Sequence, residues 1–216
     1  MRLSTPLLML VMLAATIQAG AATDLRQIAE ESEIVALVQF EVADYEVRRG
    51  FPVSGRAFFR VLLPYRMPRQ MSRLSVFEEG LHDNECYFTD DPTQQELPRY
   101  LLFLIRDEEN RLRGHPAGCA LDVLVTRDNQ YVIRWPQPLL ANEPELESLV
   151  EEFDLIGPGS RINVRDETST TRQRLKEQYQ MRAEGEHHLV YTRGIALEDF
   201  RRWLGPELST RERTRR

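Results

Sequence analysis

The feature that most restricts the fold is a series of six short β-rich segments between residues 34 and 135 of the 216-residue chain. Some alternate apolar with polar side chains and others are almost continuously apolar, as half-buried and buried strands are. The segments cover residues 34–47, 56–63, 73–79, 100–105, 121–126 and 131–135. Turn-forming residues at 48–52 and 127–130 predict two hairpins. This series predicts a mainly β fold, either a barrel or a sandwich.

The pattern changes after Pro136, and we expect residues 136–205 to form a helical C-terminal extension. Asn142 is a good N-cap for the clearest predicted helix, over residues 142–153. The apolar residues of that helix recur at helical spacing and are Leu146, Leu149, Val150 and Phe153. Residues 197–204 predict a short helix that docks on the core, and residues 165–186 fit either an exposed helix or a mobile linker. The arginine-rich residues 206–216 are predicted to be disordered.

The N-terminus has the three-part pattern of a secretory signal peptide. Arg2 precedes an apolar stretch over residues 7–15, and small residues follow at 19–22. The apolar stretch is too short to span a bilayer comfortably. We therefore expect residues 1–21 to be removed, the mature chain to lack a membrane span, and the protein to be periplasmic or secreted. A buried N-terminal helix is the alternative.

Cys86 and Cys119 are the only two cysteines of the chain. In an oxidising compartment, an even pair indicates a disulfide more than a metal site or a nucleophile. The enclosed loop would contribute about 3 to 4 kcal/mol through chain entropy. We expect this bond to stabilise the β-rich domain, residues 22–135.

The densest group of acids and possible metal ligands runs from Glu78 to Cys86 and includes His82. It raises the possibility of a zinc site or an acid-base site. A structural zinc site needs four ligands with paired spacing, however, and no second histidine lies near His82. Cys86 has an expected disulfide partner, which also argues against a His82–Cys86 base and nucleophile pair. A solvated acidic loop is the simpler interpretation.

His115 is the other weak candidate metal ligand. It lies between Gly114 and Pro116, and these residues predict a turn that leads into Cys119. The disulfide would carry His115 toward Cys86. The sequence contains no Gly-x-Ser-x-Gly elbow and no phosphate-binding glycine loop. We therefore predict no catalytic residue, no metal and no cofactor, with His82 and His115 as the residues that test the metal prediction.

The order of the strands and cysteines is similar to that of a known family. The pattern is a long first strand, a second strand that ends at a proline, residues 84–88 (NECYF), residues 99–104 (RYLLFL) and then Gly118-Cys119. Residues 34–135 thereby resemble the barrel half of netrin-like and tissue-inhibitor-of-metalloproteinases-like domains, which are OB-folds. The resemblance implies a small, OB-like antiparallel barrel, here with added C-terminal helices, and relatives that mostly bind proteins or polysaccharides. The inhibitors hold the protease metal through an N-terminal cysteine, which the expected mature chain lacks.

Three functional hypotheses remain. The first, which we favour, is an exported, disulfide-stabilised, non-catalytic binding or interaction domain whose partner is an unknown protein or envelope component. The second is an envelope enzyme that uses the acidic segment, residues 78–85. The third is a structural subunit of an envelope assembly that docks through an exposed apolar stripe along residues 146–153. The net charge of −6 argues against a nucleic-acid partner.

Overall fold

The computed structural model describes residues 24–81, 85–88 and 97–205. Within these ranges the chain forms three α-helices, thirteen β-strands and three 3₁₀-helices. The α-helices are α1 (Leu25–Glu31), α2 (Ser169–Gln178) and α3 (Leu197–Leu204). The strands are β1 (Ile34–Arg48), β2 (Phe51–Arg66), β3 (Arg73–Glu79), β4 (Arg99–Arg106), β5 (Leu112–Gly114), β6 (Ala120–Thr126), β7 (Tyr131–Arg134), β8 (Glu151–Glu152), β9 (Leu155–Ile156), β10 (Arg161–Asn163), β11 (Arg182–Glu184), β12 (His188–Val190) and β13 (Arg193–Ala196). The 3₁₀-helices are Pro138–Leu140, Pro144–Leu149 and Pro158–Ser160.

Ten strands form one large sheet and three form a small one. The large sheet runs in the order β3-β2-β1-β4-β6-β7-β13-β8, with β5 beside β4 and β9 beside β6, and the small sheet runs β10-β12-β11. The predicted mainly β, antiparallel fold is therefore confirmed. Within the described ranges the large sheet is open, and it is not the closed barrel that we expected. A barrel of the six predicted strands would have closed through β7. Strand β13 instead pairs with β7, and β8 pairs with the other side of β13.

All six predicted strands are present, and both predicted hairpins are confirmed, because β1 pairs with β2 and β6 pairs with β7. Segment 73–79 coincides with β3. At the first turn, Arg49 and Gly50 have φ angles of 53° and 85°. Asn129 has a φ of 63° at the second turn, a conformation that Asn tolerates better than most residues. The turn residues and the strand patterns thus act together to form each hairpin.

The predicted α-helix over residues 142–153 is wrong. Pro144–Leu149 is a 3₁₀-helix, and Val150 then adopts the extended angles φ −77° and ψ 125°. Strand β8 follows and pairs with β13. The apolar spacing does bury Leu146 completely. The backbone after Leu149, however, forms hydrogen bonds with β13 instead of a further helical turn, so tertiary pairing overrides the local helix preference.

The rest of the C-terminal extension is also less helical than predicted, because residues 136–205 hold the six short strands β8 to β13 beside α2 and α3. The exposed helix is the correct alternative for residues 165–186, since Thr168 caps α2 and no residue of α2 is buried. The docking helix is confirmed as α3, in which Phe200 is fully buried. No helix in the described ranges is long and apolar enough to cross a membrane. The predicted signal peptide and tail lie outside the described residues.

The two faces of the large sheet are covered differently. Alternation along β4 directs Leu101 and Phe103 to one face, where α1 and α3 close a single core. Leu102 and Leu104 lie on the other face, in a cluster formed by β1 to β4 and residues 85–88. A second cluster on this other face packs β6 and β7 against the small sheet. Between these two clusters the sheet forms the floor of a groove, which we call the face groove; its floor residues are Tyr100, Ala120, Asp122 and Arg134.

Candidate functional site

The predicted disulfide is present and forms one wall of the face groove. Cys86 and Cys119 are bonded, with their Cα atoms 6.2 Å apart, and Cys86 is buried. A Cβ atom on Gly114 would lie 2.6 Å from Cys119 Cβ and 2.8 Å from Cys86 Cβ. A glycine at this position therefore lets β5 pass directly against the disulfide. The bond in turn holds residues 85–88 against the sheet.

Glu78, the first acid of the predicted acidic segment, is a structural carboxylate. Its side chain is 3% exposed and accepts hydrogen bonds from the backbone N–H groups of Cys86 and Glu79, both at 2.9 Å. It also accepts one from Arg113 Nη2 at 2.7 Å. These three bonds, one of them from a charged donor, anchor the cysteine segment to the end of β3. Glu79 and Glu85 of the predicted cluster are exposed, and His82 and Asp83 lie outside the described residues.

Aromatic rings pack behind the disulfide wall. The Phe88 ring meets the rings of Phe59 and Tyr100 edge to face, with centroid distances of 4.8 and 5.0 Å. The Tyr45 hydroxyl accepts a hydrogen bond from the Phe88 N–H at 3.1 Å, and burial raises the pKa of Tyr45 to about 12. Burial also raises the pKa of Tyr100, and the charge of Asp122 adds to the effect. Tyr100 is therefore neutral at physiological pH, and its hydroxyl can donate a hydrogen bond.

An ion pair between Asp122 and Arg134 forms the centre of the groove floor. Arg134 Nε donates to Asp122 Oδ2 at 2.9 Å, Nη2 donates to the same oxygen, and Nη1 donates to the Pro136 carbonyl at 3.2 Å. The guanidinium carbon lies 4.8 Å from the centre of the Tyr191 ring. The buried Gln137 side chain accepts from the Asp122 N–H and donates to the Arg134 carbonyl, both at 2.8 Å. These contacts fix Arg134 in one orientation.

Two cavities meet at Tyr100 and Asp122 and divide the face groove into halves. The acidic half lies beside the disulfide, has a volume of about 1000 Å³, and has no arginine or lysine among the described residues that line it. Its carboxylates are Glu31, Glu85 and Asp122. The basic half lies against the small sheet and has a volume of about 260 Å³. Its arginines are Arg99, Arg134 and Arg161. The groove therefore presents opposite charges at its two ends.

His115, a weak candidate metal ligand in the sequence, is a buried and hydrogen-bonded side chain. Its Nδ1 accepts a hydrogen bond from the Ala117 N–H at 3.2 Å, which assigns the ring proton to Nε2, 3.1 Å from Glu31 Oε2. Hydrogen bonds from Gln27 and His115 lower the pKa of Glu31. Both nitrogens of the His115 ring are thus engaged. In the part of the chain that the structure describes, no group of three or more His, Cys, Asp or Glu side chains could hold a metal ion.

Sequence reasoning missed the floor of the groove. Asp122 lies between two apolar residues of a predicted strand, so its side chain faces away from theirs and away from the core that they fill. The observed register of β6 and β7 pairs Val123 with Ile133, and extending it by one residue places Asp122 opposite Arg134. The sequence did contain a signal for this ion pair, because Asp122 and Arg134 lie on the two strands of a predicted hairpin at similar distances from its turn.

Comparison with known protein families, with curated proteins and with solved structures found no match to this chain.

Proposed function

We propose that the protein is an exported, disulfide-stabilised binding domain that holds an envelope component in the face groove. The observation that carries this proposal is the ordered floor, in which Arg134 is held by Asp122 and the Pro136 carbonyl beside two cavities. Concave surfaces that combine apolar lining with a few fixed polar groups are typical of ligand sites. Fixed groups also reduce the entropy that is lost when a ligand binds.

Export is part of the proposal. The N-terminal sequence supports it, and so does the disulfide, because such bonds persist in oxidising compartments. We expect the mature chain to begin near Ala22, which mass spectrometry of the exported protein measures. A soluble cellular protein that retains Met1 would contradict the proposal of export.

A relationship to netrin-like and metalloproteinase-inhibitor-like domains is also a proposal. The antiparallel sheet and the Cys86–Cys119 bond support it, and an OB-like arrangement would have to be formed by part of an open sheet. Binding of proteins or polysaccharides by such relatives is consistent with a ligand groove. Inhibition through an N-terminal cysteine is not part of the proposal, because no cysteine precedes Cys86.

The two alternative functions have less support. An enzyme that used residues 78–85 would have to rely on the exposed Glu79 and Glu85 among the described carboxylates, because Glu78 already accepts structural hydrogen bonds from Glu79, Cys86 and Arg113. An assembly subunit that docked through residues 146–153 would need their apolar side chains at the surface. Leu146 is instead fully buried, and Phe153 packs against the cluster beside the small sheet.

Affinity capture from the native envelope fraction tests the proposed function. The mature protein and two groove variants, Tyr100→Phe and Glu85→Gln, are immobilised, and the retained envelope components are quantified. We expect the wild-type protein to retain a component that both variants retain several times less. Glu79→Gln is the matched control, because this exposed carboxylate belongs to the same acidic segment but does not line the groove. Equal retention by the wild-type protein and both groove variants would contradict the proposal.

A further inference from the structure

The basic half of the face groove carries a charge pattern that the proposed function leaves unassigned. Three arginines line this cavity, and Asp122 is the single carboxylate among the described residues of its lining. The Arg161 side chain is 47% exposed, and its nearest ion-pair contact, with Glu184, is 3.5 Å long. At that distance and exposure the pair is weak, so the Arg161 side chain can leave Glu184 and attract an anion into the cavity.

The orientation of Arg134 adds a fixed donor to this attraction. Its side chain is 12% exposed, and Asp122 and the Pro136 carbonyl hold it in place. The Tyr191 ring lies against its guanidinium, and burial raises the pKa of Tyr191, so this ring stays neutral. A guanidinium has five N–H groups, and three of those of Arg134 donate to Asp122 and the Pro136 carbonyl, so the N–H groups that remain on Nη1 and Nη2 are the ones that can bind the oxygens of a carboxylate.

The size and the remaining lining of the cavity restrict the anion. A volume of about 260 Å³ suits a small molecule. Apolar side chains line the rest of the cavity, and they include Leu97, Leu124 and Ile162. A phosphate has no apolar part that could contact these side chains. The lining thus favours a carboxylate attached to an apolar body over a phosphate.

We propose that the basic half of the face groove is a subsite for the carboxylate group of a small, partly apolar ligand. Arg161 and Arg134 bind the carboxylate, and the apolar side chains contact the body of the ligand. Because Tyr100 and Asp122 line both cavities, a ligand longer than this subsite would extend into the acidic half. The inference rests on the proposed function, since it names the ligand chemistry of the same groove.

Direct titration of the purified mature protein with benzoate tests the subsite. Benzamide is the matched neutral ligand, and inorganic phosphate is the competing anion. We expect benzoate to bind at least about tenfold more tightly than benzamide, because a hydrogen bond to a charged group contributes enough free energy for a tenfold change in affinity. We also expect it to bind more tightly than phosphate, which lacks an apolar body. Added salt should weaken benzoate binding.

Two variants should move benzoate affinity in opposite directions. Arg161→Gln should weaken binding about tenfold, and Asp122→Asn should strengthen it, because it removes a negative charge that repels the ligand and competes with it for the Arg134 guanidinium. Arg165→Gln is the matched control, since Arg165 follows the same strand, β10, and does not line the cavity. Thermal unfolding of each variant checks that it is folded.

Benzoate binding that is no tighter than that of benzamide or phosphate would overturn the subsite, and so would equal weakening by Arg161→Gln and Arg165→Gln. The titration uses no envelope material, so its failure is distinct from a failure of the proposed function. If capture depends on the groove while benzoate does not bind, the subsite alone is refuted.

Discussion

Replacing Glu78 by glutamine removes the charge of a buried carboxylate that accepts hydrogen bonds from Glu79, Cys86 and Arg113. The amide oxygen can take only one of the two carboxylate positions. If it takes the Oε1 position, it still accepts from Glu79 and Arg113, but the Arg113 bond loses about 1 kcal/mol of charge assistance. The amide NH₂ group then faces the Cys86 N–H, and this buried donor without an acceptor costs about 1 to 3 kcal/mol. Glu78→Gln should therefore lower the free energy of unfolding by about 2 to 4 kcal/mol.

Urea denaturation of the oxidised mature protein measures this change from the transition midpoint and slope. Glu79→Gln is the control, because Glu79 is exposed and its replacement should change stability by less than about 0.5 kcal/mol. If Glu78→Gln were as stable as this control, or more stable than wild type, the structural role of Glu78 would be refuted. If Glu78→Gln were more stable than the wild-type protein, Glu78 would instead be a residue that is retained for function although it lowers the stability of the fold.

Three further predictions concern the disulfide, two tyrosines and a histidine. Replacing Cys86 and Cys119 together by alanine should lower the free energy of unfolding by about 3 to 4 kcal/mol in urea, given their sequence separation of 33, while two titratable thiols in the wild-type protein would count against the bond. Burial raises the pKa of Tyr45 and Tyr65 from 10.0 to about 12, so the unfolded chain loses these protons first and stability should fall between about pH 10 and 12. Phenolate absorbance measures the titration, and ionisation of every tyrosine near pH 10 in the folded protein would disprove the burial argument. His115→Ala should leave the metal content of protein purified without chelator unchanged, whereas near-stoichiometric zinc that this variant loses would identify His115 as a ligand.

Local patterns were enough to predict the strands, the hairpins and the disulfide. Alternation over seven residues defines β3, and it needs no knowledge of what lies across the sheet. The turn before β2 was predicted from its glycine, because few other residues tolerate the φ of 85° that Gly50 adopts. Cys86 and Cys119 allow a single pairing once the compartment is assumed to be oxidising.

Long-range pairing decided the C-terminal region. The apolar spacing around Leu146 correctly predicted that this residue is buried, but it predicted the wrong backbone conformation. The residues that follow pair with β13 as strand β8. Strands β8 to β12 have only two or three residues each, which is too short for a period of two to be recognised. Strand β13 also pairs with β7, so β7 is not an edge strand, and the sheet ends at β3 and at β8, which comes from a part of the chain that the barrel prediction did not include.

The face groove also combines a part that local sequence predicted with a part that long-range pairing decided. Its disulfide wall was predicted from two cysteines, whereas its floor required the register of β6 and β7 and the position of Tyr191 after the small sheet. Strand and turn preferences act over a few neighbouring residues, so they can be read from the chain directly. An ion pair such as Asp122–Arg134, packed against a ring from a distant segment, exists only after non-local pairing has set the register that brings its members together.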